Sequence, residues 1–261
     1  MKLVKSNKAL QTTLWLIAIL LVWEITARTG VVSSYFLPPF SIVAQTMFTQ
    51  LFTGDLGIQS LNSIFIILCG FAISIVLVII IAVLCAWSPV LDSFFSALCT
   101  VFNPLPGIAI LPLIIMWFGI STGAMLALVT HGVLWPMITS MLTGFKAVPK
   151  IYSEWGENIG LNPIRRVTDI YLFCVMPYVI DGLRVGWGRA WRALISAEML
   201  FGMIGTLGGL GYYIFTNRAF ANMRNVMAGV LVIIIIGMIV EVLLFKALEK
   251  HTLLKWGMSN G

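Results

Sequence analysis

Six long apolar segments restrict this chain to folds that form inside a lipid bilayer. They cover about residues 12–26, 61–87, 94–118, 123–145, 177–204 and 226–248. A helix needs about 20 apolar residues to cross the hydrocarbon core of a membrane. Hydrophobic residues make up 60% of the chain and charged residues 10%, whereas soluble domains average about 45–50% and about 25%. We therefore predict an all-α polytopic membrane protein with six transmembrane helices, forming a single domain over residues 1–261.

The distribution of lysine and arginine predicts the orientation of these helices. With a cytoplasmic N-terminus, the outer loops hold Arg28, Arg218 and Arg224. The inner segments then hold ten basic residues, which are Lys2, Lys5, Lys8, Lys146, Lys150, Arg165, Arg166, Lys246, Lys250 and Lys255. Cytoplasmic loops of membrane proteins carry an excess of lysine and arginine, and this excess sets the orientation of the helices. The pattern predicts a multi-pass membrane protein with both termini in the cytoplasm, and we expect it to lie in the inner membrane.

The longest charged loop falls on the cytoplasmic side, at about residues 146–170. From Lys146 to Asp169 it carries four basic and three acidic residues, with Trp155 and Ile159 among them. A loop that only reverses the chain needs far fewer residues. Charged residues mixed with apolar anchors are typical of a docking surface for a soluble partner. A solvated connector is the alternative, and these features alone do not separate the two.

Four stretches of the sequence carry a resemblance to a known family. They are Phe-Leu-Pro-Pro at 36–39, Asn-Pro-Leu-Pro at 103–106 with Leu-Pro-Leu at 111–113 and Trp-Phe-Gly-Ile at 117–120, the stretch from Gly182 through Trp191 to Glu198, and Gly-Gly-Leu-Gly at 208–211. Over nearly its whole length the chain resembles the membrane subunits of binding-protein-dependent ABC importers. Within that family it is most similar to the nitrate, taurine and alkanesulfonate branch.

This resemblance implies an architecture, a function and a set of partners. The fold would be that of a type I ABC importer permease, and the function ATP-driven import of a small anionic solute such as nitrate, taurine or a sulfonate. The partners would be an ATP-binding cassette ATPase, an extracytoplasmic solute-binding protein, a second permease copy and the lipid bilayer, but no nucleic acid. The chain has no Gly-x-x-x-x-Gly-Lys-Ser/Thr motif. We therefore expect a transport subunit rather than an enzyme, without a metal or cofactor of its own, and with ATP and Mg²⁺ on the ATPase.

The resemblance also assigns a role to the cytoplasmic loop. In the family a short Glu-Ala-Ala helix, then a glycine and a Leu-Pro pair, dock on the ATPase. Here tryptophan and glycine replace the small alanines, and Met176-Pro177 stands about four residues late. The implied ATPase-coupling residues are Glu154, Trp155, Gly156, Glu157, Ile159 and Gly160.

Ionisable residues in the fifth apolar segment are candidates for the translocation path. Arg184, Trp191 and Glu198 are spaced by seven and share one helix face, and Arg189 and Arg192 flank that face. A charge at bilayer depth costs about 2.5–3.5 kcal/mol even on lenient scales. We predict that these five residues line the path and that Arg189 and Arg192, which lie deeper, favour an anion. The alternatives are snorkelling of Arg184 to the interface and a buried hydrogen-bonding role for Glu198.

Glycines and prolines predict close packing and a break within the membrane. Gly182, Gly186 and Gly188 permit close helix approach, either within one chain or, as the family implies, between two copies. The three prolines of the third segment, which are Pro104, Pro106 and Pro112, predict a kink or interruption of that helix. Broken helices at membrane depth are tolerated mainly where they line a cavity or are buried in protein. The alternative is that Pro104 and Pro106 only start the helix.

Other functions remain open at the level of sequence. Glu24, Glu198 and Glu241 lie in or near apolar runs and would suit an ion-gradient-driven secondary transporter. A Gly-x-Ser-x-Gly pattern around Ser121, with His131 in the next segment, matches an intramembrane hydrolase only in outline. A non-transporting assembly subunit is a third alternative.

Overall fold

The computed structural model describes residues 2–162, 165, 170–203 and 207–254, and every regular element in these ranges is a helix. We number the α-helices α1 (Lys2–Arg28), α2 (Phe40–Thr53), α3 (Asp55–Trp87), α4 (Pro89–Phe102), α5 (Gly107–Phe118), α6 (Thr122–Ala147), α7 (Lys150–Asn158), α8 (Leu172–Phe201), α9 (Leu210–Ala219), α10 (Met223–Met238) and α11 (Lys246–Glu249). The π-helical segment Ile239–Phe245 joins α10 to α11, and the π-helical segment Lys250–Leu254 continues from α11, so that residues 223–254 form one C-terminal helix.

Helices long and apolar enough to cross a membrane account for most of the predicted spans. Within the described ranges there are four of them, at Leu10–Arg28, Asp55–Trp87, Thr122–Ala147 and Met223–Thr252. The pair α4 and α5 makes a fifth if the two count as one broken span. α8 has the length of a span, with 30 residues, but it carries five charged residues. The predicted total of six spans is therefore not confirmed, and α8 is the segment on which it depends.

The third apolar segment is broken where its prolines predicted. α4 and α5 meet at an angle of 106° around residues 103–106. Pro104 and Pro106 lack the backbone N–H that would continue the helix, so α4 ends at Phe102 and a new helix starts at Gly107. Pro112 is instead accommodated inside α5. We call residues 103–106 the elbow.

The centre of the fold is the crossing of α6 with α8. A Cβ added to Gly182 would lie 3.1 Å from the Met137 Cα, and one added to Gly186 would lie 3.2 Å from the Val133 Cα. Such spacing leaves no room for larger side chains, because the two backbones nearly touch. Gly182 and Gly186 thus pack within one chain, whereas a Cβ on Gly188 would meet only Arg192 of its own helix.

The outer surface of the bundle is apolar, as expected when lipid or another membrane subunit replaces water. Large hydrophobic side chains are exposed along α1, α3 and α5, among them Trp15, Leu61 and Trp117. α1 makes its main contact with α2, where the indole nitrogen of Trp23 donates a hydrogen bond to the Pro38 carbonyl oxygen at 3.0 Å. A water-soluble protein rarely exposes so continuous an apolar surface.

Candidate functional site

A cavity of about 380 Å³ lies at the elbow, between α6 and α8. Asp92 near the start of α4 pairs with Lys146 near the end of α6 at 3.1 Å, so the two helices run in opposite directions. The end of α4 therefore reaches the middle of α6, where the ring of Phe102 stacks on Trp135 with centroids 4.8 Å apart. The cavity opens beside residues 131–135 of α6 and 189–193 of α8, which places it near mid-depth in both helices.

Two of the five predicted path residues, Arg189 and Arg192, line this cavity. The guanidinium of Arg189 donates from Nη1 to the backbone oxygen of Asn103 at 2.7 Å and to its Oδ1 at 2.5 Å. Arg189 thereby links the elbow to α8 through both oxygens of Asn103. Arg192, one turn further along α8, is exposed and has no hydrogen bond or ion pair within the described ranges.

Two further polar side chains line the cavity without a partner. Neither ring nitrogen of His131, nor the indole nitrogen of Trp135, has a hydrogen-bond partner among the residues that the structure describes, although all three atoms are buried. Buried polar groups are normally hydrogen-bonded, so each exception asks for a water or a ligand. Sequence reasoning did not assign either residue to the path. Their positions in the sequence do not single them out, because the same segment holds other polar side chains, such as Thr130 and Thr139.

Trp191 lies in the hydrophobic core. Its ring stacks on Trp187 with centroids 5.6 Å apart and an interplanar angle of 10°, and only 6% of the residue is exposed. These contacts favour a packing role within the chain.

Glu198 is enclosed by groups from three helices. Its carboxylate accepts hydrogen bonds from the Ser63 hydroxyl of α3 at 2.8 and 3.0 Å, and from the Gly211 N–H of α9 at 2.8 Å. The Ser63 oxygen in turn accepts from the Leu210 N–H at 2.9 Å. We call Glu198, Ser63 and residues 208–211 the carboxylate clamp. A hydrogen-bonding role of this kind was the alternative considered for Glu198.

Glycine is required where the chain passes over this carboxylate. A Cβ on Gly209 would collide with the Glu198 carboxylate, and one on Gly211 would collide with the Ile195 carbonyl oxygen. The close approach of the backbone to α8 therefore explains the glycines at positions 209 and 211. The charge of Glu198 also lies at the N-terminus of α9, where the helix dipole favours a negative group.

Arg184 joins α8 to the C-terminal helix. Its guanidinium lies 3.1 Å from Glu241 and 2.6 Å from Glu249, both measured from nitrogen to carboxylate oxygen. It also lies over the ring of Phe245, 5.4 Å from the centroid. The structure thus brings together only Arg189 and Arg192 of the five predicted path residues, and it places Arg184, Trp191 and Glu198 in three other environments.

The predicted ATPase-coupling residues fall on α7 and the turn that follows it. Trp155 and Ile159 are 67% and 69% exposed, and Ile151 and Tyr152 continue the same apolar surface. Glu154 and Glu157 are also exposed, whereas Gly156 is buried. Gly160 ends the helix with φ +74°, a left-handed conformation that favours glycine. Residues 163–164 and 166–169 of the predicted loop lie outside the described residues, and Met176-Pro177 lies inside α8.

The residues cited for other functions are accounted for by local contacts. The Glu24 carboxylate accepts from Arg28 at 2.6 Å and from the Ser41 N–H at 3.0 Å, and Glu241 pairs with Arg184. Ser121 caps α6, since its Oγ accepts from the Ala124 N–H at 3.3 Å. His131 stands ten positions after Ser121, about 15 Å along the helix axis, too far for a nucleophile and its base.

Comparison with known proteins yields consistent matches over most of the chain. A family model described as binding-protein-dependent transport system inner membrane component matches residues 78–253. The taurine transport system permease protein of Escherichia coli (strain K12) is 27% identical over 243 residues, which cover 90% of this chain and 86% of that protein. A formylaminopyrimidine transport permease protein of Halalkalibacterium halodurans is 28% identical over 97% of this chain and 98% of its own length.

A nitrate import permease protein of Synechocystis sp. is 23% identical over 71% of this chain and 66% of its own length. These matches confirm the resemblance that the sequence motifs predicted, including the nitrate and taurine branch. They also favour a permease over the ion-gradient-driven alternative.

Proposed function

The chain belongs to the binding-protein-dependent transport system inner membrane component family and is a transmembrane permease subunit of an ATP-driven ABC importer, and from this premise we propose how it is driven and what it carries. A separate ATP-binding cassette ATPase docks on α7, and the solute is a small anion that passes the elbow cavity. This chain hydrolyses no ATP, because ATP and Mg²⁺ bind to the ATPase.

The observation that carries the coupling proposal is the exposed apolar surface of α7. This helix has only 9 residues, too few to be stable by itself in water. It nevertheless presents Ile151, Tyr152, Trp155 and Ile159 outward, where no membrane-spanning helix covers them. Exposed aromatic and aliphatic side chains on a charged helix are typical of the centre of a protein–protein interface.

An anionic solute is supported by the charge of the elbow cavity. Two arginines and, among the residues that the structure describes, no carboxylate line the cavity, so its potential favours negative ions. Two of the relatives are named for taurine and nitrate transport. A third is named for formylaminopyrimidine transport, and a heterocyclic solute held against Phe102 and Trp135 is the second candidate.

The family and the charge distribution support the assembly that we propose. We place both termini and α7 in the cytoplasm, with two copies of this chain side by side and a solute-binding protein on the outer face. ATP binding would close the ATPase pair, and α7 would transmit that motion to the helix bundle. The bundle is then a two-state element whose equilibrium is biased by a distant ligand.

Co-purification tests the coupling proposal. Tagged chain is solubilised from its native host, and vanadate-sensitive ATP hydrolysis is measured in the eluate. We expect activity with the wild type and, for Trp155→Ala, a loss of bound ATPase on the order of tenfold or more, because a central interface tryptophan contributes about 2 kcal/mol or more. Trp15→Ala removes an equally exposed tryptophan from α1 and serves as the matched control.

Two results would contradict the coupling proposal. One is an eluate of wild-type chain without nucleotide hydrolysis. The other is a Trp155→Ala variant that retains as much ATPase as the Trp15→Ala control.

A further inference from the structure

We propose that the elbow cavity is a solute-binding site in which Arg192, His131 and Trp135 bind the oxyanion group of a small organic anion. The proposal rests on the function given above and adds the residues of the site and the chemical class of its ligand. It assigns His131 and Trp135 a part in selectivity, so that the permease would discriminate among solutes in addition to the binding protein.

The hydrogen-bonding groups left free in the cavity are predominantly donors. Both oxygens of Asn103 already accept from Arg189, and the Ser196 hydroxyl, which can donate or accept, also lines the cavity. The guanidinium of Arg192 donates only, as does the indole nitrogen of Trp135. The imidazole of His131 donates from at least one of its two unpartnered nitrogens. A ligand that satisfies these groups must offer several acceptor oxygens, as a sulfonate or carboxylate does.

The broken helix adds to the positive potential of the cavity. α5 begins at Gly107 on the cavity wall, and no side chain caps its first turn. The N-terminus of a helix carries a partial positive charge, and half-helix termini at membrane depth bind anionic solute groups in other transporters. The helix terminus adds to the site, whereas Arg192, His131 and Trp135 define it.

The shape of the cavity favours an anion with a short organic part over a bare inorganic ion. Its volume of about 380 Å³ falls in the range of about 300–1,000 Å³ that small-molecule sites occupy. The stacked rings of Phe102 and Trp135 form one wall, and Leu105 and Ile108 form another. The donors would bind the oxyanion, and these apolar walls would contact the rest of the molecule.

Direct binding to the purified full-length chain tests the site. The chain is placed in lipid nanodiscs, and saturation transfer to the ¹⁹F signal of trifluoromethanesulfonate is titrated, with neutral trifluoroacetamide as the comparison probe. We expect saturable binding of the sulfonate and much weaker binding of the amide. Arg192→Met should weaken sulfonate binding about tenfold or more, because a charge-assisted hydrogen bond is lost.

Two further variants isolate the role of the donors. Trp135→Phe removes the N–H but keeps a ring against Phe102, and it should weaken sulfonate binding about threefold. Arg218→Met removes one positive charge from an exposed position on α9 outside the cavity and should leave binding unchanged. Equal weakening by Arg192→Met and Arg218→Met would show a diffuse charge effect and overturn the site.

The outcome separates this inference from the proposed function, because the binding assay uses the chain without an ATPase. If wild type fails to bind trifluoromethanesulfonate although an ATPase co-purifies with it, the site is wrong and the coupling proposal stands. If wild type binds the sulfonate through Arg192 but no ATPase co-purifies, the site stands and the coupling proposal fails.

Discussion

The carboxylate clamp at Glu198 and the elbow cavity at Arg192 place two charged residues of α8 in opposite surroundings, the first buried and the second exposed. The two residues are six positions apart, about 9 Å along the helix axis. Glu198 accepts hydrogen bonds from α3 and from the start of α9. Arg192 has no partner in the part of the chain that the structure describes and opens into a cavity with other unpartnered donors.

The difference indicates that Glu198 stabilises the fold, whereas Arg192 is available to bind a ligand. A charged group that leaves water is tolerated when hydrogen bonds compensate it. In the carboxylate clamp the hydrogen bonds from Ser63 and Gly211 supply that compensation, and glycine at positions 209 and 211 lets the backbone come close to the carboxylate. At the elbow cavity, Arg192 has no such hydrogen bond among the described residues. We therefore expect substitutions in the clamp to change stability and substitutions in the cavity to change transport.

The largest effect is expected from Glu198→Ala. It leaves the Ser63 hydroxyl and the Gly211 N–H buried without an acceptor, which should lower the free energy of unfolding by about 3 kcal/mol. Thermal unfolding of the purified chain in detergent measures the loss. Glu198→Gln keeps an acceptor oxygen and should lose about 1 kcal/mol. If Glu198→Ala is as stable as wild type, Glu198 does not stabilise the fold and this part of the comparison is wrong.

Gly211→Ala tests the backbone packing of the same carboxylate clamp. The added Cβ would lie 2.6 Å from the Glu198 Cβ and collide with the Ile195 carbonyl oxygen, so we expect a loss of about 2 kcal/mol from overpacking. Gly123→Ala is the control, because its Cβ would make only ordinary contacts of 3.4 Å or more. The same thermal assay compares the two, and a Gly211→Ala variant as stable as the control would argue against a closely packed clamp.

Arg192→Met should separate transport from stability. We expect solute uptake in the native host to fall about tenfold or more, equivalent to about 1.4 kcal/mol. The melting temperature should stay near that of wild type, because Arg192 makes no contact with a partner that the fold would lose. A variant with normal uptake, or one that unfolds like Glu198→Ala, would contradict the assignment of Arg192 to the cavity.

The smallest effect is expected from Arg184→Met, which sharpens the contrast with Arg192 on the same helix. Its pairs with Glu241 and Glu249 are partly exposed, and such pairs contribute at most about 1 kcal/mol. Uptake should remain near the wild-type rate. If uptake instead falls as far as in Arg192→Met, Arg184 belongs to the path, as its spacing from Glu198 first suggested.

Apolar length and helix-breaking residues were enough to predict the main helices and the elbow. Each predicted segment corresponds to one long helix or, for the third segment, to the pair α4 and α5. The short helices α2 and α9 escaped prediction, because neither is long enough to stand out from the loops that flank it.

The assignment of side chains to the site could not be made from spacing on one helix. Arg184, Trp191 and Glu198 share a face of α8, yet their partners come from the C-terminal helix, from α8 itself and from α3 with α9. His131 and Trp135 become site residues only because the 106° elbow brings Phe102 and Asn103 beside the middle of α6. Such a juxtaposition depends on the packing of three helices and leaves no local pattern in the sequence.

The source of energy for uptake tests the central claim most directly. Uptake of labelled taurine, nitrate and a short alkanesulfonate is compared in native-host cells with and without this chain, to find the solute whose uptake requires it. That uptake is then measured after ATP depletion with arsenate and, separately, after collapse of the proton gradient with a protonophore. We predict that arsenate abolishes uptake and that the protonophore spares it while ATP is maintained. Uptake that survives arsenate but stops with the protonophore would contradict the account and identify a gradient-driven transporter.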